Sequence, residues 1–196
     1  MSENKLLTES LTELKSLKID KKHEDFVSEF ISTKFQSIGY VICKDKISYW
    51  NAKANKNNSH APGFVVFQPN GTQQSPDIQI IKCGNVLVNI ELKSSKQNRP
   101  MWNGGRVQLK TIYIFSKGDD TTFFLAEHTN LIPFYNIVDK FLVTINPLIE
   151  AMNKESKLAG YLHSFYLRHM YNDGNNYFDK NRKEREQKVM SFISSL

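Results

Sequence analysis

The chain has 196 residues, 40% of them hydrophobic, and 26 Lys and Arg against 20 Asp and Glu give a net charge of +6. That length supports one domain with a real core and leaves little room for two, and the apolar content excludes a disordered chain. No apolar run reaches the ~18 residues of a membrane span, and the opening MSENKLLTES has neither a signal-peptide core nor an Arg-rich transit pattern; a cytoplasmic protein with no membrane partner is expected.

Residues 3–17 place Leu6, Leu7, Leu11, Leu14 and Leu17 near helical spacing. A second helix is predicted over 22–38, with Phe26, Val27, Phe30, Ile31, Phe35 and Ile38 to one side and Gly39 as its C-cap. YVICKDKISYW reads as a strand entering a loop, NAKANKNNSHAP as a basic, Asn-rich loop, and GFVVFQP as a short strand. SPDIQIIKCGNVLVNIELKSS, residues 75–95, reads as two strands joined at Cys83-Gly84-Asn85. After the loop KQNRPMWNGG come VQLKTIYIFSK and TTFFLAEH, two strands joined by GDD. From Ile132 the pattern turns helical, through VDKFLVTINPLIEAMN, LAGYLHSFYLRHMY and EREQKVMSFISS.

Helices, then strands, then helices predict an α/β (α+β) domain, a mixed sheet with helices against it. We expect one domain over 1–196, divided into N-terminal helices (1–38), a sheet core (40–128) and a helical C-terminal portion (132–196). Cys43 and Cys83, in strand-like contexts without metal-type spacing, are expected to be free buried thiols.

The 75–95 hairpin is mostly aliphatic, yet it carries Asp77, Glu91 and Lys93. At period two, Val86, Val88, Ile90 and Leu92 point one way, and Leu87, Asn89, Glu91 and Lys93 the other. On the partner strand Asp77 and Gln79 share the polar face, and an antiparallel pairing sets Asp77 about opposite Glu91. Adjacent carboxylates repel unless a cation lies between them. Two carboxylates and a backbone carbonyl are oxygen ligands suited to Mg²⁺, a hard ion that keeps several waters.

Pro76-Asp77 followed by Glu91-Leu92-Lys93 resembles the PD-(D/E)XK nuclease superfamily, the fold of most type II restriction endonucleases, over roughly residues 22–128. Acid-x-Lys itself occurs six times, at Glu3, Glu13, Asp20, Glu91, Glu155 and Glu186. Only Glu91 follows a Pro-Asp strand across a short turn. The resemblance implies a restriction-endonuclease-like core and a Mg²⁺-dependent hydrolase of double-stranded DNA, with Mn²⁺ able to substitute. Asp77, Glu91 and the Leu92 carbonyl would hold the metal, and Lys93 would be the catalytic lysine. A glutamate from the preceding helix joins the site in many members. Glu24 is expected to supply it, because it lies three and seven residues before Val27 and Ile31, on the side taken as the core face. Two flanking carboxylates favour the charged ammonium, so Lys93 is read as a cation that orients the attacking water and stabilises charge on the phosphate.

No acid falls between Lys46 and Pro76, or between Leu92 and Gly118, so the hairpin is flanked by positive chain. Lys96, Asn98, Arg99, Trp102, Asn103, Arg106 and Gln108 follow the lysine strand and suit base, sugar and phosphate contacts. Lys53 and Lys56 form a second candidate arm. The leading expectation is a site-specific endonuclease working as a homodimer, since cutting two strands calls for two sites. A repair or structure-specific, Holliday-junction-type nuclease is the alternative, and an inactive DNA-binding relative a further one. His163 and His169, six apart on an expected helix, point to different faces, which argues against a His-metal nuclease.

Overall fold

The computed structural model describes residues 2–19, 22–44, 53–54, 62–70, 75–103, 107–129, 131–160, 170–171 and 174–196. Among them four α-helices, α1 (Glu3–Leu14), α2 (His23–Gln36), α3 (Leu131–Leu158) and α4 (Arg182–Ser194), flank a six-stranded mixed sheet. Its strands are β1 (Val41–Cys43), β2 (Phe64–Phe67), β3 (Ile78–Lys82), β4 (Asn85–Ser94), β6 (Thr111–Lys117) and β7 (Asp120–Leu125), in the spatial order β1-β2-β3-β4-β6-β7. A separate two-stranded ribbon pairs β5 (Trp102–Asn103) with β8 (Met170–Tyr171). The architecture is the expected α+β one, compatible with a restriction-endonuclease-like core.

β2, β3 and β4 run as an antiparallel meander, and β6 joins β4 in parallel, Glu91 beside Tyr113 and Lys93 beside Phe115. β6 is buried on both faces, as its continuous apolar run requires. One face carries the main core: Leu6, Leu7, Leu11 and Leu14 of α1, Val27, Ile31 and Phe35 of α2, and Val189 and Ile193 of α4, all against Ile78, Ile80, Val88, Ile90, Leu92, Ile112 and Ile114. α2 ends as predicted: Gly39, at φ +88°, takes the left-handed conformation that lets the Tyr40 N–H return to the Phe35 carbonyl at 3.1 Å.

The opposite face is divided. Trp102, Tyr113, Phe115, Phe124, Tyr135 and Tyr177 form a second core over β6 and β7. Cys43, Phe64, Val66 and Ile81 form a small third one over β1–β3. Between them runs a polar strip on β3 and β4.

Four expectations need correction. A β-bulge shifts the register between Ile80–Val88 and Ile81–Val86, leaving Leu87 as the extra residue. Val86 therefore turns with Ile81 toward the third core, and Leu87 packs against the main one, the reverse of strict alternation. Cys83 and Gly84, at φ 50° and 72°, form the two-residue turn, so Cys83 is half-exposed rather than buried in a strand, whereas Cys43 is buried. Met170 and Tyr171 are strand, not helix, because they pair with β5. Residues 107–110 do not extend β6: Lys110 has φ 57°, and the Val107 and Gln108 N–H groups donate to Tyr135 and Tyr113 hydroxyls at 2.6 and 2.9 Å.

One buried charge ties the helical face together. Glu186 of α4 accepts from Lys15, from Arg182 Nε at 2.9 Å and from Thr122 Oγ1 at 2.9 Å. Glu186→Ala removes the carboxylate partner of Lys15, 31% exposed at the side chain, and leaves Arg182 with only Asp120 and the Thr121 carbonyl. A loss of about 2–3 kcal/mol is expected, read as a lower urea midpoint; an unchanged midpoint would refute the role.

Candidate active site

The polar strip is where the aliphatic ribbon carries its charges. The pairing of Ile78 with Ile90 brings Asp77 beside Glu91. Asp77 Oδ2 accepts the Leu92 N–H at 2.7 Å, which locks the carboxylate against β4. Glu91, 8% exposed, accepts from Lys93 Nζ at 2.6 Å through Oε1, while its Oε2 is buried without a hydrogen-bond partner. Next along the strip Gln79 Nε2 donates to Asn89 Oδ1 at 2.9 Å, while the Gln79 side-chain oxygen Oε1 is buried without a hydrogen-bond partner. Asp77, Glu91 and Lys93 thus share one site on one face.

The electrostatics of this group are strained in one direction. Burial and then the Glu91 charge push Asp77 up to about 6, against the opposing pull of the Leu92 N–H and Lys93; Glu24 adds to the upward push. A carboxylate that resists ionisation beside a buried, orphaned carboxylate oxygen has too little positive charge around it. The donor set fits a hard divalent cation: two carboxylates with free oxygens, and room for water on the half-buried Asp77 side. Among the described residues no three His, Cys, Asp or Glu side chains converge into a ready-made cage, so water would have to complete the coordination.

Glu24 is placed differently from its expectation. The core-facing positions of α2 are His23, Val27, Ile31 and Phe35, a repeat of four that leaves Glu24 to one side. Its side chain is 51% exposed and paired with Lys22 at 2.9 Å. Its charge still reaches Asp77. His23 is 7% exposed, and burial lowers its pKa. It lines a shallow recess of about 360 Å³ with Ser94, Ser95, Lys96 and Asp119, at the end of β4 beyond Lys93 rather than at the carboxylate pair.

The candidate DNA contacts separate into classes. Lys96 and Gln108 are exposed, and Arg99 is half-buried, donating to Gln97 at 3.1 Å. Asn98 has a structural task, accepting from Lys117 Nζ at 2.7 Å through its side chain and from the Tyr177 N–H at 2.8 Å through its backbone. Asn103 lies in β5, opposite Met170. Lys53 is half-buried in a helical stretch; Lys56 and Arg106 lie outside the described residues.

Trp102 is corrected. It is 2% exposed, its ring 5.2 Å from Tyr113 edge-on, so it cannot lie on a base or sugar without leaving the core. The Lys93 ammonium sits 5.9 Å from its ring, a cation–π contact that holds the lysine from below. Trp102→Ala is expected to cost about 3–5 kcal/mol of stability; a change under about 0.5 kcal/mol in denaturant unfolding would return it to the surface. Tyr113, beside Glu91 in register, belongs to the same floor. It was missed because a parallel pairing between distant strands leaves no local pattern.

No family model, curated protein or solved structure matches the chain.

Proposed function

We propose that this protein is a Mg²⁺-dependent endonuclease of double-stranded DNA, with Asp77, Glu91 and Lys93 as its centre. The observation that carries the reading is the carboxylate pair, half-buried at Asp77 and buried at Glu91. Asp77 is pushed up to about 6 and Glu91 keeps an unpartnered oxygen, beside a lysine held at 2.6 Å. As a purely structural feature, such a pair destabilises the fold; as a metal site, it is what the chemistry needs.

Asp77, Glu91 and the Leu92 carbonyl would hold the ion. When bound, it would activate water, neutralise phosphate charge and assist the leaving oxygen. Lys93 donates to the phosphate's non-bridging oxygens and orients the attacking water, its ammonium restrained between Glu91 and the Trp102 ring. The water oxygen bonds to phosphorus, one P–O ester bond breaks, and a proton goes to the departing oxygen. Glu24 contributes negative charge from the side. Lys96 and Arg99, just past the lysine strand, supply phosphate contacts. The acid-free stretches on either side of the hairpin support an anionic partner.

Incubation of a defined plasmid with Mg²⁺ tests the reading. Discrete bands with mapped ends mean site-specific cutting, the leading form of the proposal. A smear means a general nuclease, and cutting confined to branched DNA a structure-specific one. Retained binding with no cleavage in Mg²⁺ or Mn²⁺ means an inactive DNA-binding protein and refutes the hydrolase.

A further inference from the structure

α3 is long, and most of its described residues are exposed, with Val138, Leu142, Ile145 and Ile149 half-buried. The helix runs 28 residues, about 42 Å. Leu131 and Tyr135 root its first turn in the second core. Beyond them, Ile137, Phe141, Val143, Leu148 and Met152 are 54%, 64%, 77%, 64% and 47% exposed. Among the described residues no helix is long and apolar enough to cross a membrane.

The apolar positions are ordered. Phe134, Val138, Phe141, Ile145, Leu148 and Met152 follow alternating steps of four and three, the spacing of a coiled-coil seam. Leu142 and Ile149 widen it along one edge. Asn136, Lys140, Glu150 and Lys154 are exposed on the opposite side, and Pro147, which interrupts the helix's hydrogen bonding, also falls off the seam. Ile137 and Val143, and Ile132 and Leu158 toward the helix ends, are exposed apolar residues that lie off the seam.

We propose that this seam is the surface through which two copies of the chain associate, α3 against α3 about a two-fold axis. Three observations select a second copy. A heptad seam is self-complementary, so the same knobs fill the same holes in an isologous pair. Asp139, Glu150 and Glu155 balance Lys140, Lys154 and Lys157, so the helix is electrically neutral although the chain carries +6, and no repulsion opposes pairing along it. Phe134, Phe141, Leu148 and Met152 of the seam are 38%, 64%, 64% and 47% exposed, an apolar row of the kind that marks an interaction surface. The inference deepens the endonuclease reading, since a dimer supplies one centre for each DNA strand, but its physical basis does not depend on cleavage.

Sedimentation equilibrium of the full chain tests it. The wild type should sediment at twice the chain mass. The double variant Phe141→Asp, Leu148→Asp should become monomeric, its dissociation constant raised about 100-fold or more, with an unchanged circular dichroism spectrum because both residues are exposed. A wild type that stays monomeric at every concentration overturns the proposal, as does a double variant that stays folded and dimeric. So does a monomer that instead binds anionic lipid vesicles through α3. Should the double variant unfold, Leu148→Cys on a Cys83→Ser background keeps the test open: cross-linking between copies is expected, and its absence under oxidation is contrary. A dimer that cuts no DNA would leave this inference standing and refute the hydrolase; a monomer that cuts would do the reverse.

Discussion

Lys93→Ala is expected to lower DNA cleavage by about 10²–10³-fold or more while leaving DNA affinity within a few-fold of wild type. The geometry sets both halves. The Lys93 side chain is 23% exposed, with its ammonium 2.6 Å from Glu91 and over the Trp102 ring. A cation restrained that way is already oriented when a phosphate arrives, so its effect falls on the charge that develops during reaction. Under the proposed function, binding would rest on several cations, exposed Lys96 and half-buried Arg99 among them, and one removed charge would change it little. The paired readouts are supercoiled-plasmid cleavage in Mg²⁺ and fluorescence anisotropy with labelled duplex in Ca²⁺. Lost binding with residual cleavage would make Lys93 a docking residue.

Asp77→Asn should abolish cleavage and yet stabilise the protein at neutral pH. Asp77 ionises near 6 in the fold and near 3.8 when unfolded. The folded state therefore holds the proton more tightly, and its stability falls as pH climbs from about 4 through 6 and levels off above. Asparagine removes that penalty, and its amide oxygen can still accept the Leu92 N–H. Discounted for partial exposure, the gain is about 1–2 kcal/mol above pH 7, or about 3–6 °C in Tm. The gain should vanish below about pH 4, where aspartate is neutral in both states. Mg²⁺ should raise the Tm of the wild type and not of the variant. A variant less stable than wild type at pH 7.5 would mean that Asp77 serves the fold, not a cation.

What could be read from the chain was what local chemistry specifies. That Asp77 faces Glu91 is expected from a turn centred on Gly84 and a period of two; the actual two-residue turn at Cys83-Gly84 would set Asp77 opposite Ile90, and the bulge at Leu87 restores Glu91. The helices of the main core follow from leucine and isoleucine spacing. The bulge at Leu87 was not legible, because a one-residue slip leaves the composition of a β-branched run unchanged. Glu24 was placed on the core side by a helical-phase estimate one residue out; His23 holds that position, and a repeat of four from His23 to Phe35 was the available signal. Trp102 looked like a loop residue because its burial belongs to a core shared with Tyr113 and Tyr177, distant in sequence or on another strand. The seam of α3 was present in the sequence as a spacing, but that Phe141, Leu148 and Met152 stand exposed on it while Val138 and Ile145 are half-buried is a tertiary fact.

The most direct measurement is of divalent-ion binding itself, by Mn²⁺ electron paramagnetic resonance on the purified chain without DNA. The wild type is expected to bind Mn²⁺ in competition with Mg²⁺, and Asp77→Asn and Glu91→Gln each to weaken that binding at least about tenfold, while Glu13→Gln, in the identical Glu-Leu-Lys tripeptide on α1, leaves it unchanged. Equal Mn²⁺ binding by all four proteins, or none by the wild type, would contradict a metal centre on the β3–β4 ribbon.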